Sequence, residues 1–247
     1  MKPPTGPFQD ETLDTIFQGR LAVIQKRRGY RFSLDAVLLA DFIKTHGKET
    51  IIDLGSGNGV VAIILAFLNP SAHLLGLELQ EEMVERASRS VTLNELEKRV
   101  RIVQGNVCSI QQIFSPHSFD MAVCNPPYRR LAMGRINPDP EKRVARHEIK
   151  GSLGDFVHAG SYLLRRKGKM ALVYPATRLL DLLELMRREG MEPKRLRLVH
   201  SFEKSPATLA LVEGILGGRS GLEVMSPLIV YSGINEYSPE MISILRD

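Results

Sequence analysis

The chain of 247 residues has no tryptophan, two cysteines and few aromatic side chains, which make up 6% of the sequence. Cys108 and Cys124 belong to no Cys-x-x-Cys or Cys/His spacing. A disulfide framework and a zinc site are therefore both disfavoured, and no other metal site is expected. We predict that both thiols are reduced and buried.

Long hydrophobic runs are also missing. The longest, residues 60–68, has nine apolar residues, whereas a membrane-spanning helix needs roughly 20. Residues 1–7 lack the apolar stretch and the cleavage site of a secretory signal. We therefore expect a cytoplasmic protein with no membrane association. The 43% hydrophobic and 25% charged content is typical of a folded domain.

Positive charge is concentrated in two segments. The chain has a net charge of +5. Residues 20–31 hold five basic and no acidic side chains, and residues 129–150 hold seven basic against three acidic ones. The rest of the chain is net acidic. Local positive charge of this kind suits a polyanion, although two solvated loops would have the same composition.

Short β-branched runs alternate with longer amphipathic segments, which is typical of parallel βαβ units. We predict one doubly wound α/β domain over residues 1–247, beginning with a short extension and a helix in residues 1–45. Residues 129–150 are predicted to be a loop, because they contain glycine and prolines and show no period. The predicted strands are residues 50–54, 73–78, 101–104, 119–124, 170–174, 195–200, 208–212 and 228–231. The predicted helices are residues 33–44 (capped by Ser33), 60–68, 80–95, 109–114, 152–166 and 178–189.

A glycine-rich turn, Asp53-Leu54-Gly55-Ser56-Gly57-Asn58-Gly59, joins a predicted strand to a predicted helix. Glycines there let the backbone turn tightly and approach a ligand. Val60 replaces the third glycine of the dinucleotide fingerprint, and no Lys-Ser/Thr follows, so a pyrophosphate loop and a P-loop are disfavoured. Asp53 and the second-strand acid Glu78 suit a ligand with a positive centre and a ribose, whose hydroxyls Glu78 is placed to bind.

The tetrapeptide Asn125-Pro126-Pro127-Tyr128 directly follows the predicted strand 119–124. Two prolines fix φ and donate no backbone hydrogen bond, so the chain leaves the sheet in a rigid turn. That turn lies at the edge where open α/β sheets bind ligands. The tetrapeptide resembles motif IV of the amino methyltransferases, and this resemblance implies that the Asn125 oxygen and the Pro126 carbonyl accept both N–H groups of an exocyclic amine while Tyr128 stacks on its ring. Positioning, rather than a His or Cys nucleophile, would then drive the reaction.

These two motifs resemble those of class I S-adenosylmethionine-dependent methyltransferases. The acid and glycine turn is similar to their motif I, and the tetrapeptide is similar to motif IV of enzymes that act on adenine, cytosine or glutamine nitrogen. The resemblance implies S-adenosylmethionine as cofactor and S-adenosylhomocysteine as product. It also implies a Rossmann-like domain with a mostly parallel seven-stranded sheet and helices on both faces.

Residues 31–42, 145–148 and 226–231 narrow the resemblance to the bacterial tRNA1(Val) adenine-N6 methyltransferases, over residues 14–231. That family implies tRNA as partner and the adenosine 3′ to the anticodon as target. The implied catalytic residues are Asn125, Pro126, Pro127 and Tyr128. The implied cofactor contacts are Arg31, Phe32, Ser33, Asp35, Asp53, Gly55, Ser56, Gly57, Asn58, Gly59, Glu78, Leu79, Asn106 (where the methyltransferases often have Asp), Val107 and Asn125. The predicted RNA contacts are Arg27, Arg28, Arg129, Arg130, Arg135, Arg143 and Arg146.

Other interpretations remain open at this point. Release-factor glutamine methyltransferases carry the same tetrapeptide, but they have a sizeable helical substrate domain, and only about 45 residues precede the first strand here. An adenine in rRNA, or RNA binding without catalysis, would also fit. An unpaired base in an RNA loop reaches such a pocket more easily than a base in duplex DNA. His147 is either a proton acceptor or a member of a loop ion pair, and no obligatory protein partner is predicted.

Overall fold

The computed structural model describes residues 6–28, 31–128 and 151–246, in which helices and strands alternate. The strands are β1 (Glu11–Ile16), β2 (Leu21–Lys26), β3 (Thr50–Leu54), β4 (His73–Glu78), β5 (Val100–Gln104), β6 (Phe119–Cys124), β7 (Leu164–Pro175), β8 (Met191–His200), β9 (Ala207–Leu216), β10 (Glu223–Val224), β11 (Leu228–Ile229), β12 (Tyr231–Gly233) and β13 (Glu236–Tyr237). The helices are α1 (Leu34–Phe42), α2 (Val60–Leu68), α3 (Glu81–Leu93), α4 (Ile110–Ile113), α5 (Leu153–Leu163), α6 (Leu179–Arg188) and α7 (Pro239–Arg246).

Seven long strands form the central sheet in the order β5-β4-β3-β6-β7-β9-β8. All pairings are parallel except those of β9, which runs antiparallel to β7 and β8. Two-residue strands β10 and β11 add to β8 and bring the sheet to nine strands. The predicted mostly parallel seven-stranded sheet is confirmed, with these two short additions.

The sheet is buried on both faces because successive strand residues point to opposite sides. In β6, Met121 and Val123 belong to one apolar cluster, and Ala122 and Cys124 belong to the other. Helices α1 and α2 contribute to the first cluster, and α5 and α6 to the second. The prediction of helices on both faces is confirmed.

A hairpin of β1 and β2 that the sequence did not predict packs against α3. Its buried carboxylate, Glu11, accepts hydrogen bonds from Arg86 Nε at 3.0 Å and from Arg89 Nη2 at 2.7 Å. Burial alone would raise the pKa of Glu11, but hydrogen bonds from Arg89, the Phe8 backbone and Arg86 outweigh it and lower the pKa to about 2. The hairpin is therefore attached through a buried ion-pair cluster.

Several local predictions are wrong. Ser33 precedes α1 but makes no side-chain capping hydrogen bond. The predicted helix 152–166 ends at Leu163, because β7 begins at Leu164 and is longer than expected. Cys108 is free but exposed, whereas Cys124 is free and buried as predicted. The predicted strand 228–231 is divided between β11 and β12, and α7 was not predicted.

Candidate active site

A cavity of about 400 Å³ opens at the carboxyl ends of β3, β4, β5 and β6. Its wall contains all four residues of the tetrapeptide and every predicted cofactor contact except Gly59. Sequence reasoning missed other members of the wall, including Met83 of α3 and Phe156 of α5. Their neighbours in sequence carry no motif, so only the fold could place them here.

The glycine turn owes its shape to backbone conformations that L side chains rarely adopt. Gly55, Gly57 and Gly59 have φ of +73°, +56° and +76°. The Gly55 and Ser56 N–H groups both donate to Leu77 O, at 2.8 and 3.0 Å, so the turn crosses the end of β4. Gly59 does not line the cavity. A Cβ added to Gly59 would lie 3.1 Å from Ala87 Cβ, so this glycine lets the start of α2 approach α3 closely.

Glu78, at the end of β4, connects the turn to the second strand. Its Oε2 accepts a hydrogen bond from Gly57 N–H at 2.9 Å, and its Oε1 accepts one from Gln80 N–H at 2.9 Å. A carboxylate has about four lone-pair sites, so two remain for ligand hydroxyls. The structure thus gives Glu78 a loop-ordering contact that the sequence did not predict, and it leaves the carboxylate in the cavity wall.

Asp53 is buried beneath the glycine turn, where its charge is costly. Burial, followed by repulsion from Glu78, raises the pKa of Asp53 to about 7, against a hydrogen bond from the Ala62 backbone. Within the described part of the chain, Asp53 Oδ2 and Ser56 Oγ have no hydrogen-bond partner. Buried polar atoms are seldom left unsatisfied, so this pair of oxygens is suited to a polar ligand.

Asn106 follows β5 and begins a short 3-10 helix, Val107–Ser109. Its Oδ1 accepts a hydrogen bond from Cys108 N–H at 2.9 Å. A ligand would therefore share this oxygen with the helix cap or use the Nδ2 donors. The cap alone accounts for an Asn at this position, so a contact to the cofactor stays a prediction.

The segment before α1 joins the cavity to the hairpin. Phe32 N–H donates to the Oε1 atom of the buried Gln25 at 2.7 Å, and Asn58 Nδ2 lies 3.5 Å from the same atom. Arg31 pairs with Asp14 of β1. These contacts fix residues 31–33 in the wall, and Gln25 is a positioning residue that no local motif indicated.

The tetrapeptide turns over the cavity beside α1. Tyr128 Oη lies 2.8 Å from Asp35 Oδ2 and 2.9 Å from Asn125 Oδ1. The Tyr128 ring meets the Tyr174 ring edge to face, with centroids 5.9 Å apart. The aromatic ring and the amide that the sequence identified are thus in contact at the mouth of the cavity.

The predicted RNA contacts are only partly described. Arg27 and Arg28 are exposed at the end of the hairpin. The other five predicted RNA contacts lie outside the described residues: Arg129, Arg130, Arg135, Arg143 and Arg146. His147 lies outside them as well. Among the residues that the structure covers, no group of three or more His, Cys, Asp or Glu side chains is placed to hold a metal. Across the same ranges, no helix has the length and apolar character to cross a membrane.

Comparison with known proteins agrees with this architecture. A protein of Tolumonas auensis named tRNA1(Val) (adenine(37)-N6)-methyltransferase is 25% identical over 221 residues, which cover 89% of this chain and 90% of that protein. The crystal structure of a predicted O-methyltransferase from Agrobacterium tumefaciens superposes with a TM-score of 0.70 at 21% identity, covering 85% of this chain and 94% of the other.

A more distant structure has the same fold. The geranyl diphosphate C-methyltransferase of Streptomyces coelicolor, crystallised with S-adenosyl-L-homocysteine, has a TM-score of 0.53 at 13% identity, over 73% of this chain and 78% of the other. The sheet order and these neighbours identify the class I methyltransferase fold. The model of the methyltransferase small domain family matches residues 33–189, and the chain belongs to that family.

Proposed function

We propose that this protein transfers a methyl group from S-adenosylmethionine to the exocyclic N6 amine of an adenine in a tRNA anticodon loop. The proposed target is the adenosine 3′ to the anticodon of tRNA1(Val). The observation that carries the proposal is the position of Asn125 and Tyr128 in the same cavity wall as the glycine turn and Glu78. The name of the Tolumonas auensis relative supports the choice of substrate. The proposal places the enzyme in the cytoplasm, where tRNA is used.

The cavity fits the cofactor in two respects, and the glycine turn gives its wall a close-packed shape. Glu78 retains acceptor sites for vicinal hydroxyls, and the orphaned oxygens of Asp53 and Ser56 offer acceptors to the polar end of a ligand. A Cβ on Gly55 would lie 3.1 Å from the Phe156 ring, so glycine lets ring and turn approach closely. When bound, S-adenosylmethionine supplies an electrophilic methyl group on a sulfonium.

The chain's own residues hold and orient the amine. The Asn125 oxygen and the Pro126 carbonyl accept hydrogen bonds from its two N–H groups and favour a pyramidal, more nucleophilic nitrogen. Tyr128 stacks on the base, a contact worth about 1–3 kcal/mol for an unpaired base. These contacts would present the nitrogen to the methyl group that bound S-adenosylmethionine supplies; S-adenosylhomocysteine would leave, one amine proton would pass to water, and most of the rate would come from positioning.

Incubation with the cofactor and unmodified tRNA, followed by digestion to nucleosides and mass spectrometry, tests the proposal. We expect N6-methyladenosine at the position 3′ to the anticodon. Methyl groups found instead on a release-factor glutamine or on rRNA would replace the substrate assignment. Failure to bind S-adenosylhomocysteine in calorimetry would remove the enzymatic function altogether.

Asn125→Ala tests whether the tetrapeptide acts on the methyl acceptor rather than on the cofactor. We expect it to abolish turnover and to leave the affinity for S-adenosylhomocysteine within about threefold, because the side chain contacts the acceptor amine. Gln112→Ala, which truncates an exposed amide on α4, is the matched control and should leave both quantities unchanged. Loss of turnover and cofactor affinity together in Asn125→Ala would indicate a structural role instead.

A further inference from the structure

Asp35 contacts the tetrapeptide across 93 residues of sequence. It lies in the first turn of α1, and its Oδ2 is 2.8 Å from Tyr128 Oη. The resemblance to known methyltransferases implied a different role for Asp35, as a cofactor contact. Its hydrogen bond instead joins α1 to the residues proposed to hold the substrate.

The donors and acceptors at Tyr128 Oη, Asp35 Oδ2 and Asn125 Oδ1 determine the direction of the hydrogen bonds between these side chains. A phenol has one O–H donor, yet Tyr128 Oη lies within 2.9 Å of two oxygens, Asp35 Oδ2 and Asn125 Oδ1. The carboxylate is the stronger acceptor, because a hydrogen bond to a charged group is shorter and stronger. The phenol proton therefore goes to Asp35.

If the Tyr128 proton goes to Asp35, the Asn125 amide can bond Tyr128 only through its N–H group. Turning its amide by about 180° leaves the shape unchanged and points Nδ2–H at the lone pairs of Tyr128 Oη. The result is a directed chain in which Asn125 donates to Tyr128 and Tyr128 donates to Asp35. In that chain the Asn125 oxygen is left as an acceptor in the cavity wall, as the amine requires.

The ring of Tyr128 is fixed at its other side by Tyr174, which is buried and meets it edge to face at an interplanar angle of 86°. Arg178 in turn bonds the Tyr174 hydroxyl. Asp35 therefore constrains the hydroxyl end of Tyr128, while Tyr174 constrains the ring. Without Asp35, the ring loses one of the contacts that hold it in the cavity wall.

We propose that Asp35 is a positioning residue for the methyl acceptor: through Tyr128 it orients the stacking ring and turns the Asn125 oxygen toward the amine. This inference rests on the proposed function. Asp35 holds no proton that the reaction transfers, and it acts on the base through two neighbouring side chains.

A double-mutant cycle with Asp35→Ala and Tyr128→Phe tests the inference. In the wild-type background we expect Asp35→Ala to lower kcat/KM for tRNA by about tenfold to a hundredfold, the range for a hydrogen bond to a charged group. In the Tyr128→Phe background, the same substitution should lower it by less than about twofold. Equal effects in both backgrounds would overturn the inference.

Cofactor affinity separates this role from the one first expected. Asp35→Ala should leave the dissociation constant of S-adenosylhomocysteine within about threefold, while a loss of tenfold or more in both backgrounds would make Asp35 a cofactor contact. Asp35→Asn, which keeps an acceptor for the phenol, should restore part of the activity. Lys44→Ala, which removes an exposed charge just after the same helix, is the control for effects on α1.

The stability of the four proteins gives a result that does not depend on the substrate. The losses of unfolding free energy in Asp35→Ala and Tyr128→Phe should be non-additive, because each substitution removes the same hydrogen bond between these two side chains. Additive losses would overturn the inference even if tRNA is methylated. If the wild type methylates no tRNA, the proposed function fails, and non-additive losses would still support the link between Asp35 and Tyr128.

Discussion

The buried carboxyl of Asp53 makes the stability of the protein without cofactor depend on pH in an unusual direction. Its pKa rises from 3.8 to about 7 on folding, so the folded state binds the proton more tightly than the unfolded state. A carboxyl with a raised pKa contributes stability at low pH, and this contribution is lost as pH rises through the folded pKa. One pKa unit corresponds to about 1.4 kcal/mol, so this side chain should remove about 4 kcal/mol between pH 4 and pH 8.

Asp53→Asn removes the titration and keeps a side-chain oxygen for the Ala62 N–H. We expect the free energy of unfolding of the variant, relative to the wild type, to rise by about 4 kcal/mol between pH 4 and pH 8. Urea unfolding followed by circular dichroism, at half-unit steps and without cofactor, measures this difference. A difference that stays constant over the whole range would refute the reasoning.

Asp120→Asn provides a control of opposite sign in the same sheet. Burial opposes ionisation of Asp120, but hydrogen bonds from the Thr50 backbone and hydroxyl and from Arg165 lower its pKa overall. Its contribution is therefore present above the unfolded pKa and is lost as pH falls. Both variants should therefore differ from the wild type at high pH but in opposite directions: Asp53→Asn gains relative stability as pH rises towards 7, whereas the relative loss of Asp120→Asn shrinks as pH falls below about 4.

Three further predictions follow from the packing and charge. Glu11→Gln should cost about 3–5 kcal/mol of unfolding free energy at pH 7, because it removes the buried carboxylate that Arg86 and Arg89 share and leaves only Arg89 with another, Glu85; a loss below about 1 kcal/mol in urea unfolding would contradict this. Since the Glu11 pKa is about 2, the wild-type contribution should be lost only as pH falls below about 4.5. Gly59→Ala should cost about 1–2 kcal/mol, because φ is +76° and the added Cβ meets Ala87, whereas Gly6→Ala, with open space around it, should be neutral. Charge reversal of Arg129, Arg130 and Arg143 should flatten the salt dependence of tRNA affinity. An unchanged slope would place the RNA surface elsewhere.

Much of the central sheet could be predicted because its signals are local. The predicted bounds of β3, α2, β4 and β6 coincide with the observed ones. Each is a mainly apolar run that either ends at a charged residue or is followed within two residues by glycine or proline, so the local sequence shows both the element and its boundary. The glycine turn and the tetrapeptide were placed correctly in the fold for the same reason, since each directly follows a buried strand.

The elements that sequence reasoning missed depend on contacts between distant parts of the chain. The hairpin has no Asn-Gly or Asp-Gly turn, and its turn uses Phe17 and Gln18 at positive φ. Its attachment depends on Glu11, whose partners Arg86 and Arg89 lie 75 and 78 residues away. The contact between Asp35 and Tyr128 spans 93 residues. Nothing in the local pattern around these residues shows which of them meet.

The hairpin also affects where the catalytic unit can be cut. The family match begins at residue 33, and a boundary drawn there would discard β1 and β2. That cut would remove Arg31 and Phe32 from the cavity wall, together with Gln25, and would take the Glu11 carboxylate away from Arg86 and Arg89. A protein shortened to residues 33–189 would therefore keep the glycine turn and the tetrapeptide, but it would lose the hairpin that supports the cofactor wall, together with β8 and β9 of the central sheet.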